Sequence, residues 1–457
     1  MSPKKKSFIH FGCWNNLCNE NNTGLRDVIA KLKTHIKKAN TTTDVQFISV
    51  AGDNYYALKD KKKSSDPKKV RNIKVTQNNQ DVLNSESASY LSQNDIQEGF
   101  NQLQSIDDEI PINVIYGNHD LEKNEKFTVA EKIDCNNEQI VVELANKTQY
   151  TGNNDCQMME DQKTTVENLN TTNMKIDKFI IPYFDEDTFV CMIDSTVYSK
   201  DFNKGCYTKD QTVEINKQNL DVLCSYNKIK NKESVKNIII IGHHPITFEK
   251  GNESATVTSG QIKSNNNNTH TATVKKEKKD KTIPTNDFLE FFMDLNKEIK
   301  KQSPNANLIY LCADTHLFQY GKIKIEKGND TVNITQIIAG TGGTTLDANI
   351  NPTELYKETE KKTGKYTITY KVLESLSEHG FVEIRNGRND GNVLFTKTKK
   401  PTTRYSTPSR MRHYTPRRSR STVKNKYIRL GNGLDFRFHS VKSNSSKRST
   451  RKYRSAS

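Results

Sequence analysis

Long apolar stretches, paired cysteines and hydrophobic bulk are all scarce in this sequence. The longest aliphatic run lies around Ile238, Ile239, Ile240 and Ile241, far short of the ~18 residues a spanning helix needs. The chain is therefore not expected to cross or enter a membrane. Hydrophobic residues make up only 33% of the 457, with a single Trp, and mean hydropathy is −0.82. That is poorer in core-forming material than an average globular protein. The 8 cysteines contain no C-x-x-C pair, which argues against a zinc ribbon and a dense disulfide framework. Cys191 and Cys312 sit inside apolar runs and read as buried free thiols. The first residues hold a basic cluster, Lys4 to Lys6, without the roughly 7–15 apolar residues of a secretory leader. Intracellular residence is the expectation.

Acidic residues are nearly missing from one region. Residues 396–457 hold 19 Lys and Arg against the single Asp435, whereas everything upstream balances 51 basic against 53 acidic residues. The net charge of +16 is thus a property of the tail. A segment so basic and polar cannot bury enough apolar surface to fold alone, so it is expected to be disordered. Nucleic acid or another polyanion is the partner such a tail would favour, through counterion release. Tyr427 to Phe438 is the one stretch with enough apolar residues to dock on the rest.

Upstream, short β-branched runs recur with polar or helical segments between them: Ser7 to Phe11, Val45 to Ala51, Ile112 to Tyr116, Phe189 to Ile193, Asn237 to Ile241, Leu308 to Cys312 and Thr335 to Ala339. Such runs read as buried strands. Leu25, Val28, Ile29, Leu32 and Ile36 follow helical spacing, which makes the opening a β-α-β unit. Phe288, Leu289, Phe292 and Leu295 predict a second helix before the Leu308 strand. The fold class is α/β. Residues 59–94 and 249–286 are polar and of low complexity, and read as solvated loop insertions. The polar stretch from Glu131 to Asn173 holds one short apolar element at Ile140, Val141, Val142 and Leu144.

Metal-capable residues follow directly on the predicted strands. Gly52-Asp53-Asn54-Tyr55-Tyr56 ends the second run, Gly117-Asn118-His119-Asp120 the third, Gly242-His243-His244-Pro245 the fifth and Ala313-Asp314-Thr315-His316 the sixth. Ligands of open α/β sheets bind beyond the carboxyl ends of strands, so these side chains could converge on one site. A mixed O/N set suits Zn, Mn or Fe, with a carboxylate able to bridge two ions. Two such ions activate water and stabilise the entering and leaving oxygens of a phosphoryl displacement.

In this order of motifs the sequence resembles the calcineurin-like metallophosphoesterase superfamily, and most closely its purple acid phosphatase branch. The match runs through G-D-x-x-Y (Gly52, Asp53, Tyr56), G-N-H-D (Gly117 to Asp120), G-H-x-P (Gly242, His243, Pro245) and a last histidine motif at Asp314-Thr315-His316, with Gly340 to Gly343 resembling the following loop. The resemblance implies a four-layer α/β/β/α sandwich over residues 7–395 and hydrolysis of a phosphate ester by a hydroxide bridging two metals. Asp53 would bridge, Tyr56 and His316 would serve the first metal, and Asn118 and His243 the second. His119 would act on the leaving-group oxygen.

Two positions depart from the family pattern. Cys13, in Gly12-Cys13-Trp14-Asn15, stands where an aspartate ligand is expected, and Asp314 stands in place of a histidine. Asp314 remains an oxygen donor. Cys13 is either a thiolate ligand or an unliganded buried thiol, with Asn15 or Asn16 as alternative oxygen donors. Tyr55 competes with Tyr56 for the place facing the metals, and His244 is either substrate-facing or a turn histidine. The competing function is an impaired relative with a structural or nucleic-acid-associated role through its tail; a nucleic-acid phosphodiesterase is a third reading.

Overall fold

The computed structural model describes residues 4–15, 24–39, 43–56, 73–77, 80–82, 89–121, 133–134, 140–143, 157–169, 173–199, 209–229, 232–251, 285–344, 346–386 and 427–441. They form two large mixed sheets, a small sheet and five α-helices, so the α/β class holds. Elements are numbered in chain order. In the first sheet β1 (Lys5–Phe11), β2 (Thr43–Ala51), β5 (Ile112–Ile115) and β8 (Met174–Ile176) run parallel. On the β1 side β17 (Gly380–Asn386), β19 (Leu434–Ser440) and β18 (Ile428–Gly431) add antiparallel, giving the order β18-β19-β17-β1-β2-β5-β8.

The second sheet centres on parallel β10 (Thr188–Ile193), β11 (Asn237–Ile241), β12 (Asn307–Cys312) and β14 (Asp330–Ala339). Antiparallel β13 (Phe318–Lys327), β16 (Tyr366–Leu376) and β15 (Glu358–Thr363) extend one side and β9 (Phe179–Ile180) the other. The small sheet is β3 (Ile73–Gln77), β4 (Gln80–Val82), β6 (Ile133–Asp134) and β7 (Ile140–Glu143), in the order β4-β3-β7-β6.

Each of the seven apolar runs read from sequence coincides with a strand, the Ile112 to Tyr116 run passing its end by one residue, because a strand covered on both sides must be apolar at consecutive positions. The predicted helices are α1 (Gly24–Ala39) and α5 (Asn286–Gln302), joined by α2 (Ser89–Gln104), α3 (Gln157–Asn168) and α4 (Lys209–Asn227). Helix α1 buries Leu25, Val28, Ile29, Leu32 and Ile36 and carries Asp27 in its first turn and Lys37 and Lys38 in its last, charges that suit the helix dipole. Thr285 caps α5 by accepting from the Phe288 amide, an interaction typically worth ~1 kcal/mol.

Three apolar clusters follow from these elements. One joins the first sheet to α1, α2 and α3, through residues such as Ile9, Val50, Leu32, Phe100 and Val166. Another joins the second sheet to α4 and α5, through Ile238, Tyr310, Val222 and Phe292. The third draws on both sheets, with Phe8, Phe47 and Ile384 of the first meeting Ile239, Leu311 and Ile337 of the second.

Two expectations need correction. The 59–94 segment contains β3, β4 and the start of α2, so it is not wholly an insertion loop; most of 249–286, residues 252–284, lies outside the described residues. The tail is not uniformly disordered, because residues 427–441 form the hairpin β18–β19 at the edge of the first sheet. Leu434, Phe436 and Phe438 alternate with Asp435, Arg437 and His439. The aromatic pair joins the cluster shared by both sheets, with Phe438 stacked on Phe318 at 4.4 Å and Phe436 against Tyr320 at 4.9 Å. Burial of each such ring stabilises by roughly 1.5–3 kcal/mol, enough to hold a short hairpin that has a sheet edge to pair with. Residues 396–426 and 442–457 lie outside the described residues.

Candidate metal centre

The carboxyl ends of β1, β2 and β5 meet those of β10, β11 and β12, and all nine residues singled out in the sequence come together there. Close backbone approach makes this geometry. At Gly52 φ is +76°, and a Cβ would stand 2.5 Å from the Gly117 amide nitrogen and 2.7 Å from His243 Nδ1. At Gly117 a Cβ would stand 2.5 Å from Asp53 Oδ1. Only glycine admits the two loops to each other.

Asp53 is the hub, fully buried. Its Oδ1 accepts from the His119 amide at 3.1 Å and lies 3.2 Å from His243 Nε2. Its Oδ2 accepts from Tyr56 Oη at 3.1 Å and from Cys13 Sγ at 3.5 Å. Tyr56 Oη in turn lies 3.4 Å from His316 Nε2. Each carboxylate oxygen thus faces a different donor group: Cys13, Tyr56 and His316 on one side, His243 with Asn118 on the other. The ligand atoms of Cys13, Asp53 and His316, and separately those of His243, His244 and Asp314, lie within 4.8 Å of one another, and either group could hold a metal ion. Non-glycine positive φ occurs at Cys13 (54°), Asp53 (55°) and Asp314 (51°), and backbone strain of this kind concentrates at functional sites.

The His243 ring shows why a cation fits. Its Nδ1 donates to the Ala51 carbonyl at 2.6 Å, which leaves the Nε2 lone pair directed at Asn118 Oδ1 (3.0 Å), Asp53 Oδ1 (3.2 Å) and Asp314 Oδ1 (3.7 Å). Lone pairs so gathered repel unless a proton or metal ion stands among them, and ligands at ~2.0–2.2 Å from an ion lie about 3 Å apart. A backbone carbonyl fixing the far nitrogen is the usual support for a metal-binding imidazole. Without a metal the electrostatics call for a proton instead. Burial opposes charge on His243, yet Asp53 and Asp314 outweigh it and push its pKa up to about 9. Burial alone would raise the Asp53 carboxyl, but His243, His119 and His316 hold it well below the carboxylate range. Burial, with Asp53 adding to it, drives the Cys13 thiol and the Tyr56 phenol well up, so both stay neutral until a cation offsets the field.

Position bears on several of the open choices. Tyr56 faces the cluster, while Tyr55 packs in the core beside α2. Asn15 lies against α2, where a Cβ on Gly99 would come 2.3 Å from its Nδ2; Asn16 is outside the described residues. His119 is buried, its ring 4.6 Å from that of Tyr56. His244 is half-buried, with Nδ1 3.3 Å from Ser195 Oγ.

Sequence reasoning missed three supporting groups. Ser195 Oγ accepts from the amides of both His243 and His244 at 2.9 Å. Asp120, fully buried, accepts from the amides of Asn54 (2.8 Å), Tyr55 (3.0 Å) and Gly117 (2.6 Å) and so clamps two motif loops together. Asp347 accepts from the His316 amide at 2.9 Å. Ser195 follows the Phe189–Ile193 run, so the signal that marked the other strand ends was present there too. Cys191 and Cys312 are buried free thiols, as read.

No known protein family matches the chain, and no curated protein is detectably similar to it. Among the described residues, no helix is long and apolar enough to cross a membrane.

Proposed function

We propose that this chain is a metal-dependent phosphoric ester hydrolase of the calcineurin-like metallophosphoesterase type, built as a four-layer α/β/β/α sandwich. One observation carries the reading: the two oxygens of the buried Asp53 face two separate donor groups, the arrangement a carboxylate needs to bridge two ions. The apolar cluster shared by both sheets, flanked by two sheet–helix clusters, supports the layer order.

Cys13, Tyr56 and His316 would hold one ion and His243, Asn118 and Asp314 the other, with Asp53 common to both. A sulfur donor in the first set favours zinc or iron over manganese there. When bound, the pair supplies Lewis acidity and lowers the pKa of water. The protein contributes orientation: Ala51 fixes the His243 tautomer, Asp120 and Ser195 fix the loops, and the dry surroundings strengthen each charge interaction. His119, which touches Asp53 through its amide and Tyr56 through its ring, would protonate a leaving alkoxide. His244, turned toward Ser195, is proposed to meet the substrate.

The test is turnover of p-nitrophenyl phosphate by the purified full chain supplied with zinc, iron or manganese. His119→Ala should lower kcat by ~100-fold or more while metal content stays at the parent's level. No turnover with any of the three metals, or a variant as active as the parent, ends the proposal; metal content near zero would favour a phosphoesterase-like protein that does not turn over.

A further inference from the structure

A second group of metal-capable side chains lies away from this centre, where the C-terminal hairpin meets the domain. His35 comes from α1, Glu383 from β17 and His439 from β19. The register sets Phe381 opposite His439 and Glu383 opposite Arg437, so these four share the face of the sheet that α1 covers. The Glu383 side chain is 0% exposed. Burying a carboxylate this completely is costly unless it is compensated.

The compensation is incomplete. Glu383 Oε2 lies 3.0 Å from His439 Nε2 and accepts from Tyr427 Oη at 2.5 Å. His35 Nε2 stands 3.3 Å from the same oxygen but makes no hydrogen bond, and Glu383 Oε1 has no hydrogen-bond partner. Two buried polar atoms are thus left over in one cluster, and such atoms mark the place of an absent ion or water.

We propose that His35, Glu383 and His439 form a zinc site that fastens the C-terminal hairpin to α1 and the first sheet. The proposal is independent of the phosphoesterase reading. Two imidazoles and one carboxylate are a common protein donor set for zinc. Ligand atoms around a tetrahedral zinc at ~2.0–2.1 Å lie about 3.3 Å apart, against 3.0 and 3.3 Å here for the two Nε2–Oε2 separations. All three ligand atoms fall within 4.8 Å of one another. The ion would draw the His35 nitrogen into use and let Oε1 share in its charge. Tyr427 would keep its hydrogen bond to the carboxylate, the kind of support that orients ligands. Water would complete a four-coordinate set. Burial also holds the His439 pKa down to about 4, so its imidazole is neutral and ready to ligate at pH 7.

The experiment compares zinc uptake by the chelator-stripped full chain and by His35→Gln, each checked for native circular dichroism. Uptake at the Asp53 centre is common to both, so the parent should bind one more zinc per chain. Cobalt should give the parent visible bands of a tetrahedral ion that His35→Gln lacks. Equal stoichiometry together with equal cobalt spectra overturns the site. Should His35→Gln not fold, anomalous scattering at the zinc edge from parent crystals soaked in zinc decides: a peak between His35 and His439 supports the proposal, and none at saturating zinc refutes it.

Discussion

Two buried carboxylates, Asp53 and Glu383, each face histidines, yet His243 beside the one and His439 beside the other are pushed in opposite directions. His243 is raised to about 9 because two carboxylates, Asp53 and Asp314, overcome its burial. His439 is lowered to about 4 because burial dominates, and its one carboxylate is shared with His35 while Arg437 adds positive charge. What decides is the ratio of carboxylates to cations within reach, not the presence of an acid–histidine pair. At the Asp53 centre the negative charge is offset by a proton on His243, in whose place a metal ion could stand. The Glu383 cluster tolerates one but stands without it, held by Tyr427 and by the aromatic stacking of His439 on Phe381 at 4.8 Å.

The sharpest way to break this contrast is Asp53→Asn. It removes the charge that both donor groups share while preserving shape, so metal content at that centre should collapse. Residues that merely touch a metal's ligands cost ~10–100-fold when lost, so phosphatase turnover should fall by more than ~100-fold. Elemental analysis and kcat together check this. Retention of both ions in the variant would mean that Asp53 is a structural hub only and that the contrast drawn here is mistaken.

The Asp53 centre was legible in sequence because its side chains follow consecutive apolar runs, where strand grammar and motif spacing coincide. The Glu383 cluster was not. His35 lies on the polar edge of an amphipathic helix, Glu383 in a seven-residue strand and His439 in a basic stretch that composition assigned to disorder. Only pairing of β19 with β17, across residues remote in sequence, brings them together. The apolar residues of Tyr427 to Phe438 marked that stretch as able to dock, but not its pairing with β17. β13 and β16 escaped for a similar reason, since they alternate apolar and polar residues instead of forming a continuous run, and β15 has no apolar residue at all. Asp120 and Ser195 show another limit: both follow apolar runs, yet position alone does not reveal that a side chain accepts backbone amides from a distant loop.

A smaller effect separates the two regions by pH. In chelator-treated protein His439 has a folded pKa of about 4, below its unfolded ~6.5. Its contribution to stability is therefore full above pH ~6.5 and lost as pH falls through 4. Glu383, for all its burial, is held well below the usual range by the nearby His35 and by its hydrogen bond with His439, so it too loses its contribution in acid. The His439 share is on the order of 3 kcal/mol. Thermal melts between pH 7 and 4 should show this acid limb, and His439→Gln, which keeps a donor for Glu383 without titrating, should flatten it. His243 works with the other sign: raised to about 9, its contribution is full below pH ~6.5 and lost as pH rises through 9. An acid limb unchanged by His439→Gln would transfer it to other groups, such as the buried His10, whose pKa burial also lowers to about 4.

The smallest expected effect is that of Tyr427→Phe, and it tests whether the two regions are separate. Tyr427 donates to Glu383 Oε2 at 2.5 Å, and the Arg385 guanidinium lies 3.4 Å from the centre of its ring. Phenylalanine keeps the stacking surface and removes only the donor. Loss of a hydrogen bond to a buried carboxylate costs about 1.5–3 kcal/mol, and the half-buried position of Tyr427 lets water recover part of it, so about 1 kcal/mol should be lost in urea titrations. Zinc uptake at His35, Glu383 and His439 should keep its stoichiometry and weaken by ~10-fold. Phosphatase kcat should not change, because nothing in the hydrogen-bond network around Glu383 reaches Asp53. A parallel fall in kcat would instead show that the hairpin and the strand-end centre respond as one unit, coupled through β1, which pairs Ile9 with Glu383 and ends at Phe11, two residues before Cys13.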